Sequence, residues 1–390
     1  MPERICLCNA TVFTGITLLD NAAVLIKNGK IKDVISKKRF DQAKLSSGYQ
    51  RIDLNGAIAA PAFIDTHIHG LHGFDTTDAD PDSILKMSEA LVEYGVSGFC
   101  PTLYPGEKEH FFECIRAVVS AMGREKGAKV LGLHMEGPFI SRDKHGVLNP
   151  EYIREVDIEL MKEYIDVAEG HIAIMTVAPE LKNMRELALF ASRKGIVLSA
   201  GHSNANYEQM LEGIQAGILH STHFFNAMRR LHHRDPGVVG TIMIHPDISC
   251  EIIADGYHVH PVYIKMLAKE KPADKIVLVT DSLRPTGQTS GTLIAKGEEV
   301  YIKEGLFARK SDDVIAGSAL TMIQGVRNLT EMGIDLENAL RMASTNPATV
   351  LGLEKMIGSL LPGRDADIAV FDKNFNILQT IIKGKIVTKA

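Results

Sequence analysis

The sequence predicts an α/β protein, a (β/α)8 TIM barrel carrying a small β-sandwich domain formed from both chain termini. Three observations predict it. Through the middle of the 390 residues, short runs rich in Val, Ile, Leu and Ala alternate with longer amphipathic stretches, the pattern of a parallel sheet covered by helices. The two ends have a different, β-rich texture, and "LIKNGKIKDV" near the start is echoed by "IIKGKIVTKA" at the end, which puts strands from both termini into one small sheet. The repeats are numerous enough for eight strands, and no Gly-rich phosphate loop follows the first core strand, as it would in a doubly wound sheet.

Taken in order, residues 1–56 supply the first part of the discontinuous domain. "ICLCNATVFTGITLLDNAAVLIKNGKIKDVI" reads as short strands, with Asn28-Gly29 placed to turn a hairpin. Cys6 and Cys8 share one face of a strand and read as packing. Residues 57–352 form the barrel. Its strand candidates are "AIAAPAFID", "KVLGLHMEG", "HIAIMTVAP", "GIVLSAGH", "GILHSTHFF", "SCEIIADG" and "KIVLVTD". Its helix candidates include "SILKMSEALVEYG", "FFECIRAVVSAMG", "LKNMRELALFASRK", "YEQMLEGIQAG" and "LENALRMAST". Residues 353–390, with "GSLLPGRDADIAVFDKNFNILQTIIKGKIVTKA", return to the small domain.

Composition narrows the function classes. A formal net charge of -5 without a polybasic tract argues against nucleic acid or an anionic membrane as partner. Cys6, Cys8, Cys100, Cys114 and Cys250 are odd in number and contain no CxxC pair, so neither a disulfide framework nor a thiolate zinc site is expected. The N-terminus lacks a signal-peptide core and no apolar stretch reaches spanning length. A cytoplasmic location is the expectation. The Gly-x-x-x-x-Gly-Lys-Ser/Thr pattern of nucleotide triphosphate sites is also absent.

The chemistry collects where the apolar runs stop. The first ends in Asp65, His67 and His69, the next in His134 and Glu136, and later ones in His202, His223, Asp255, His258 and Asp281. In a (β/α)8 barrel the C-terminal strand ends converge on one mouth. Imidazole nitrogens and a carboxylate can bind a borderline divalent metal while leaving a position open for water. His202, His223 and Glu136 suffice for one ion, and His67 with His69 can add a second, with Glu136 bridging. Zinc, iron and manganese all suit such nitrogen and oxygen donors. Asp281 can take a proton from water and hand it to a leaving group, or cap a helix. His134 shares the strand face of Glu136 and reads as a hydrogen-bonded core histidine or a partner of the ligands. The loop "RPTGQTSG" is either a lid or a surface connection.

Together "PAFIDTHIHG", "HMEGPF", "AGHSNA", "THFFNAM", "ADGYHV", "LVTDS" and "AGSALTM" resemble the amidohydrolase superfamily, and more closely the N-acetylglucosamine-6-phosphate deacetylases. The resemblance extends over nearly the whole chain. It implies a metal held by Glu136, His202 and His223, and Asp281 as general base and then acid. It implies substrate contacts from Val147, Leu148, Asn226, Ala227, the stretch Asp255, Gly256, Tyr257 and His258, and the Ile315-Ala316-Gly317 turn. Arg234, in "HHRDPG", matches the arginine that reaches the sugar phosphate from a neighbouring subunit, implying a homodimer. A planar guanidinium suits phosphate geometry; read by itself, "MRRLHHR" is a solvated loop.

Two differences within the family matter. Some members replace the HxH pair and work with one metal, whereas His67 and His69 make this chain resemble the two-metal members. Some carry a histidine before the Asn-Pro of the loop after "HMEGPF", where it polarises the acetamide carbonyl. Here Leu148 stands in "KHGVLNP" and cannot donate, so a second metal at His67 and His69 is expected to take over that role. His145 is the weaker candidate. The alternatives are the galacto epimer of the substrate, another amidohydrolase such as a cyclic-amide hydrolase, and a non-catalytic barrel scaffold. Cyclic-amide hydrolases use a bridging lysine for which Glu136 stands here, and a scaffold would have lost ligands that this chain keeps.

Overall fold

The computed structural model describes residues 4–42, 48–288, 293–295, 298–303, 306–310 and 315–388. Both ends of the chain meet in one sheet. Arg4–Phe13 pairs antiparallel with Leu18–Lys27, which pairs antiparallel with Lys30–Ser36. Asn28 and Gly29 make the turn between the last two, with φ of 53° and 74°, the left-handed pair that a two-residue hairpin requires. On its other side Arg4–Phe13 runs parallel to Gln50–Asp53 and then to Ile58–Pro61. Ile58–Pro61 receives Ile368–Phe371 from the C-terminal end, followed outward by Ile377–Ile382 and Lys385–Ile386. The two echoed turns touch: a Cβ on Gly29 would stand 2.7 Å from the carbonyl oxygen of Lys383. Lys30 Nζ lies 2.6 Å from Asp365 Oδ1 across the same junction. Alternation sends Leu7, Val12, Val24, Ile368 and Ile381 into one apolar cluster and Cys6, Cys8 and Leu25 into another, which Phe40 of the helix Lys37–Gln42 covers.

The middle of the chain is an α/β unit with a barrel-like parallel sheet. Phe63–Ile68, Val96–Leu103, Leu133–Glu136, Ile172–Val177, Val197–Ala200 and His220–Ser221 pair in parallel, neighbour to neighbour in chain order. Cys250–Ile253 and Ile276–Val279 form a further parallel pair. Two seams join the groups. Ile68 bridges Ser282 in parallel, and the Asp281 amide donates to the His67 carbonyl at 2.9 Å. At the other seam the Phe224 amide donates to the Glu251 carbonyl and the Ser249 amide to that of Leu219. Ile276–Val279 is buried at every position, as a parallel strand covered on both faces must be.

Helices follow the strands: Pro81–Leu91, Lys108–Ala121, Ile158–Val167, Met184–Arg193, Tyr207–Gln215, Gly237–Ile244, Pro261–Glu270 and Met322–Glu331. Lys108–Ala121 buries Phe111, Cys114, Ile115 and Val118, the spacing of one apolar face. Asn206 and Gln209 close a reciprocal cap on Tyr207–Gln215. Pro81 and Pro261 open their helices where a missing N–H costs nothing. No helix among the described residues is long and apolar enough to cross a membrane.

The structure departs from the sequence reading in four places. The second core strand, Val96–Leu103, was not among the expected strands, because Gly98 and Pro101 interrupt its apolar run. "AIAAPAFID" divides at Ala62 between the terminal sheet and the first core strand. "GILHSTHFF" keeps only His220–Ser221 as strand, and its remainder turns, with φ of 24° at His223 and 81° at Phe225. Ile315, Ala316 and Gly317, expected as a turn, lie in the strand Ile315–Ser318, which ends a small antiparallel sheet with Leu293–Ala295, Glu298–Lys303 and Leu306–Arg309. Residues 289–291 of the "RPTGQTSG" loop lie outside the described residues.

Candidate metal centre and cleft

The titratable side chains sit at or just past strand ends. His67 lies in the first core strand and His69 just beyond it, so alternation points both rings the same way. Glu136 ends the third strand, while His202, His223 and Asp281 each stand two residues past the fifth, sixth and eighth. At those three the backbone is left-handed, with φ of 46°, 24° and 48°, a conformation that costs a non-glycine residue about 1–2 kcal/mol. The turn aims each side chain across the mouth rather than along its strand.

Two donor groups result, and they share a carboxylate. Glu136 Oε1 lies 2.9 Å from His202 Nε2 and 3.0 Å from His223 Nε2, and the two nitrogens are 3.1 Å apart. Asp281 Oδ1 lies 3.6 Å from His67 Nε2 and 3.2 Å from His69 Nε2. Glu136 stands between the groups, its Oε2 at 3.4 Å from His69 Nε2 and its Oε1 at 3.8 Å from His67 Nε2. Neighbouring acceptors set the ring tautomers. His69 Nδ1 donates to the Thr102 carbonyl, His202 Nδ1 to that of Lys144, and His67 Nδ1 to Glu251 Oε2, at 2.9–3.0 Å. Each leaves an Nε2 lone pair toward the shared space.

These residues fit a divalent cation. His67 Nε2, His69 Nε2 and Glu136 Oε2 are buried without a hydrogen-bond partner among the described residues, and groups buried in that state are stable only if something else meets their lone pairs. The separations of 2.9–3.1 Å within the first group are close to the edge of about 3.3 Å expected of a tetrahedron with zinc-to-nitrogen bonds of about 2.0 Å. Charge points the same way. Burial raises the carboxyl of Glu136, but the imidazoles of His202, His223 and His69 crowded around it hold it well below the usual range. Burial likewise opposes a charged His67, yet Glu251, Asp281 and Glu136 push it up to about 10. The cluster calls for positive charge.

A cleft of about 230 Å³ opens over this floor. Its walls bring together Glu136, His202, His223 and Asp281 with Val147, Leu148, Asn226, Ala227, Tyr257, His258 and Gly317. Gly146 joins them unanticipated. Leu148 is anchored with Ile140 and Ile153 in an apolar cluster. His145 does not line the cleft, and its Nδ1 is engaged with the Leu148 carbonyl at 2.9 Å. Asp255 lies behind His258: Oδ2 accepts from His258 Nδ1 at 2.5 Å, and Oδ1 accepts the amides of Tyr257 and His258. Gly256 completes that turn with φ of 83°. Arg234 is exposed, with Nη1 at 2.9 Å from His233 Nε2, and is not part of the cleft wall of its own chain.

Two buried residues escaped the sequence reading or were left open by it. His134 has both nitrogens engaged, Nδ1 with the Thr66 carbonyl and Nε2 with Thr176 Oγ1, each at 2.9 Å, and burial lowers its pKa to about 3. It is a neutral hydrogen-bonded core histidine. Glu251, fully buried in Cys250–Ile253, was not singled out. The signal was there: a carboxylate inside an apolar strand is rare unless paired.

Comparison with known proteins identifies the family. A sequence model of the Amidohydrolase family matches residues 58–387, and one of the NagA composite domain matches 6–59. The chain is 34% identical over 391 residues to the N-acetylglucosamine-6-phosphate deacetylase of Bacillus subtilis (strain 168), covering 99% of this chain and 98% of that one. It is 34% identical over 392 residues to the Bos taurus protein of the same name, covering 96% and 95%. Among solved structures, that of N-acetylglucosamine-6-phosphate deacetylase from Pasteurella multocida superposes with a TM-score of 0.91 at 30% identity, covering 98% of this chain and 99% of that one. A mutant of the Mycobacterium smegmatis deacetylase in complex with N-acetyl-D-glucosamine-6-phosphate gives 0.91 at 26% identity, covering 99% and 100%.

Proposed function

The chain belongs to the amidohydrolase family and, within it, to the N-acetylglucosamine-6-phosphate deacetylases, and from that premise we propose that it hydrolyses the acetamide of N-acetyl-D-glucosamine 6-phosphate to D-glucosamine 6-phosphate and acetate, in amino-sugar catabolism or recycling. The observation that carries the proposal is Glu136 shared between two histidine groups, with Asp281 beside them on the cleft floor.

Glu136, His202 and His223 would hold one divalent cation, and His67 and His69, with Glu136 between, a second. Zinc, iron and manganese all suit this donor set. Bound there, such a cation supplies Lewis-acid polarisation of the amide carbonyl and lowers the pKa of a water molecule. The remaining work falls to the chain's own residues. Asp281 Oδ1 takes the proton of the attacking water, holds it, and returns it to the amine nitrogen as the C–N bond breaks, so that water and amide become acetate and amine. Amides need both halves of this transfer, because an unprotonated amine is a poor leaving group. His258, held by Asp255, faces the carbonyl oxygen or the sugar. Val147, Leu148, Asn226, Ala227, Tyr257 and Gly317 shape the pocket for the acetamide and ring, with Gly256, Ile315 and Ala316 supporting it. Because leucine cannot donate, that polarisation would fall to a cation held by His67 and His69.

We assign residues 57–352 to the catalytic (β/α)8 barrel and 1–56 with 353–390 to a discontinuous β-sandwich domain, except that the strand Ile58–Pro61 lies in the sheet of the latter. The two seams between the parallel strand groups support the closed barrel. The cluster that joins Val12 and Val24 to Ile368 and Ile381 supports the sandwich. We further infer a homodimer in which Arg234 reaches the sugar phosphate in the neighbouring site, a reading supported by its exposure outside its own cleft. The five buried, unpaired cysteines support a cytoplasmic setting.

The test is acetate release from N-acetylglucosamine 6-phosphate, its galacto epimer and the unphosphorylated sugar, on protein of assayed metal content. Release fastest from the phosphorylated gluco substrate is expected. Preference for the galacto epimer would move the assignment to that substrate, and no release from any of the three by metal-loaded protein would overturn it.

A further inference from the structure

We propose that Glu251 is a positioning residue that sets up the His67 and His69 half of the metal centre; the inference rests on the two-ion reading above. Glu251 sits mid-strand in Cys250–Ile253, has no exposed surface, and does not line the cleft. A buried carboxylate there needs a reason. Its Oε2 accepts from His67 Nδ1 at 2.9 Å and from the His223 backbone amide at 3.0 Å. Its Oε1 faces His220 Nε2 at 3.4 Å, and the other nitrogen of His220 meets Ser249 Oγ at 2.7 Å.

A carboxylate at this site can only accept. It therefore fixes the proton of His67 on Nδ1 and leaves the Nε2 lone pair toward Asp281 and Glu136. The same oxygen ties the seventh strand to the start of the turn that carries His223. The two contacts differ in kind: His67 is held through its ring, and so through its tautomer, whereas His223 is held only by its backbone. Loss of Glu251 should thus weaken the ion at His67 and His69 far more than the ion at Glu136, His202 and His223. His69 and His202 rely instead on backbone carbonyls, those of Thr102 and Lys144, which no side-chain substitution removes. His67 alone of these three depends on a replaceable group.

The experiment is site-resolved metal binding on the full-length protein, stripped with chelator and titrated with cadmium, followed by cadmium-113 NMR and metal analysis. Wild-type protein should take up two ions with two resonances. Glu251→Met, of similar length but without the acceptor, should lower the affinity of the second ion by about 10–100-fold and leave the first unchanged. Glu251→Gln, which keeps one acceptor oxygen, should show a smaller loss in the same ion. Two ions bound by Glu251→Met as tightly as by wild type, or both weakened in step, would overturn the role of Glu251. If Glu251→Met does not fold, the glutamine variant decides, and an unchanged second ion there overturns it. A wild-type chain that binds one ion only would overturn the two-ion reading itself, a result distinct from the others.

Discussion

Asp281 tests the chemistry most directly. Burial raises its carboxyl, but positive charge at the His67 and His69 side of the cluster outweighs that effect and holds it below the usual carboxylate range, in the ionised form that the first step requires. Asp281→Asn preserves size and removes the proton acceptor. The expected result is a fall in kcat of about 10²–10⁴-fold with substrate still bound, checked by steady-state kinetics beside metal analysis, because Asp281 also stands 3.2 Å from His69 Nε2. Retained turnover with full metal content would remove Asp281 from the mechanism. The HxH pair makes a second prediction. If the ion held there polarises the carbonyl in place of a donor at Leu148, then His67→Gln with His69→Asn lowers kcat by about a hundredfold while the affinity for a substrate analogue changes little; unchanged turnover refutes the polarising role. The strand-end residues could be read from the sequence because each stops an apolar run, and convergence of strand ends does the rest. Glu251 could not be read in the same way. It lies inside its run, and only the fold shows that His67 and His223, 184 and 28 residues away in sequence, arrive beside it.

Elements were legible where the apolar run is unbroken and obscure where it is not. "KIVLVTD" and "HIAIMTVAP" contain strands where expected, though shorter than the runs, Ile276–Val279 and Ile172–Val177. Val96–Leu103 is as buried as either but carries Gly98 and Pro101. Its glycine serves packing that the sequence does not display, since a Cβ there would stand 2.6 Å from Leu131 Cδ1. The sixth strand is short for a different reason: the chain must turn early to place His223, so site geometry outweighs strand propensity. Turn chemistry, by contrast, is local and legible. Asn28-Gly29 turns the expected hairpin, and the echo at the C-terminus matters because Gly29 packs on the second turn. Gly29→Ala combines a φ of 74° with a Cβ only 2.7 Å from the Lys383 carbonyl oxygen. It should cost about 2 kcal/mol of stability, read as a lower urea midpoint, while activity per folded molecule stays at the wild-type level. A midpoint unchanged within error would mean that the two turns do not depend on their close approach.

At the scale of the whole molecule, the joining of both termini in one sheet was legible from the echoed segments, whereas the homodimer came from resemblance alone. Twofold symmetry makes the proposed dimer sharply testable. If each site combines Asp281 of one protomer with Arg234 of its partner, then Arg234→Ala and Asp281→Asn inactivate different halves of the same site. Each homodimer of variants carries two defective sites. A mixed dimer carries one site with both defects and one with neither, because a twofold arrangement pairs the intact aspartate of the first protomer with the intact arginine of the second. Equal co-expression with random pairing should therefore restore about a quarter of wild-type activity toward the phosphorylated substrate. Unmixed variants set the background. If Arg234 serves its own chain instead, every mixed dimer keeps one defect per site and nothing is recovered. A variant pair that fails to complement while still sedimenting as dimers would return Arg234 to the solvated loop that "MRRLHHR" reads as by itself.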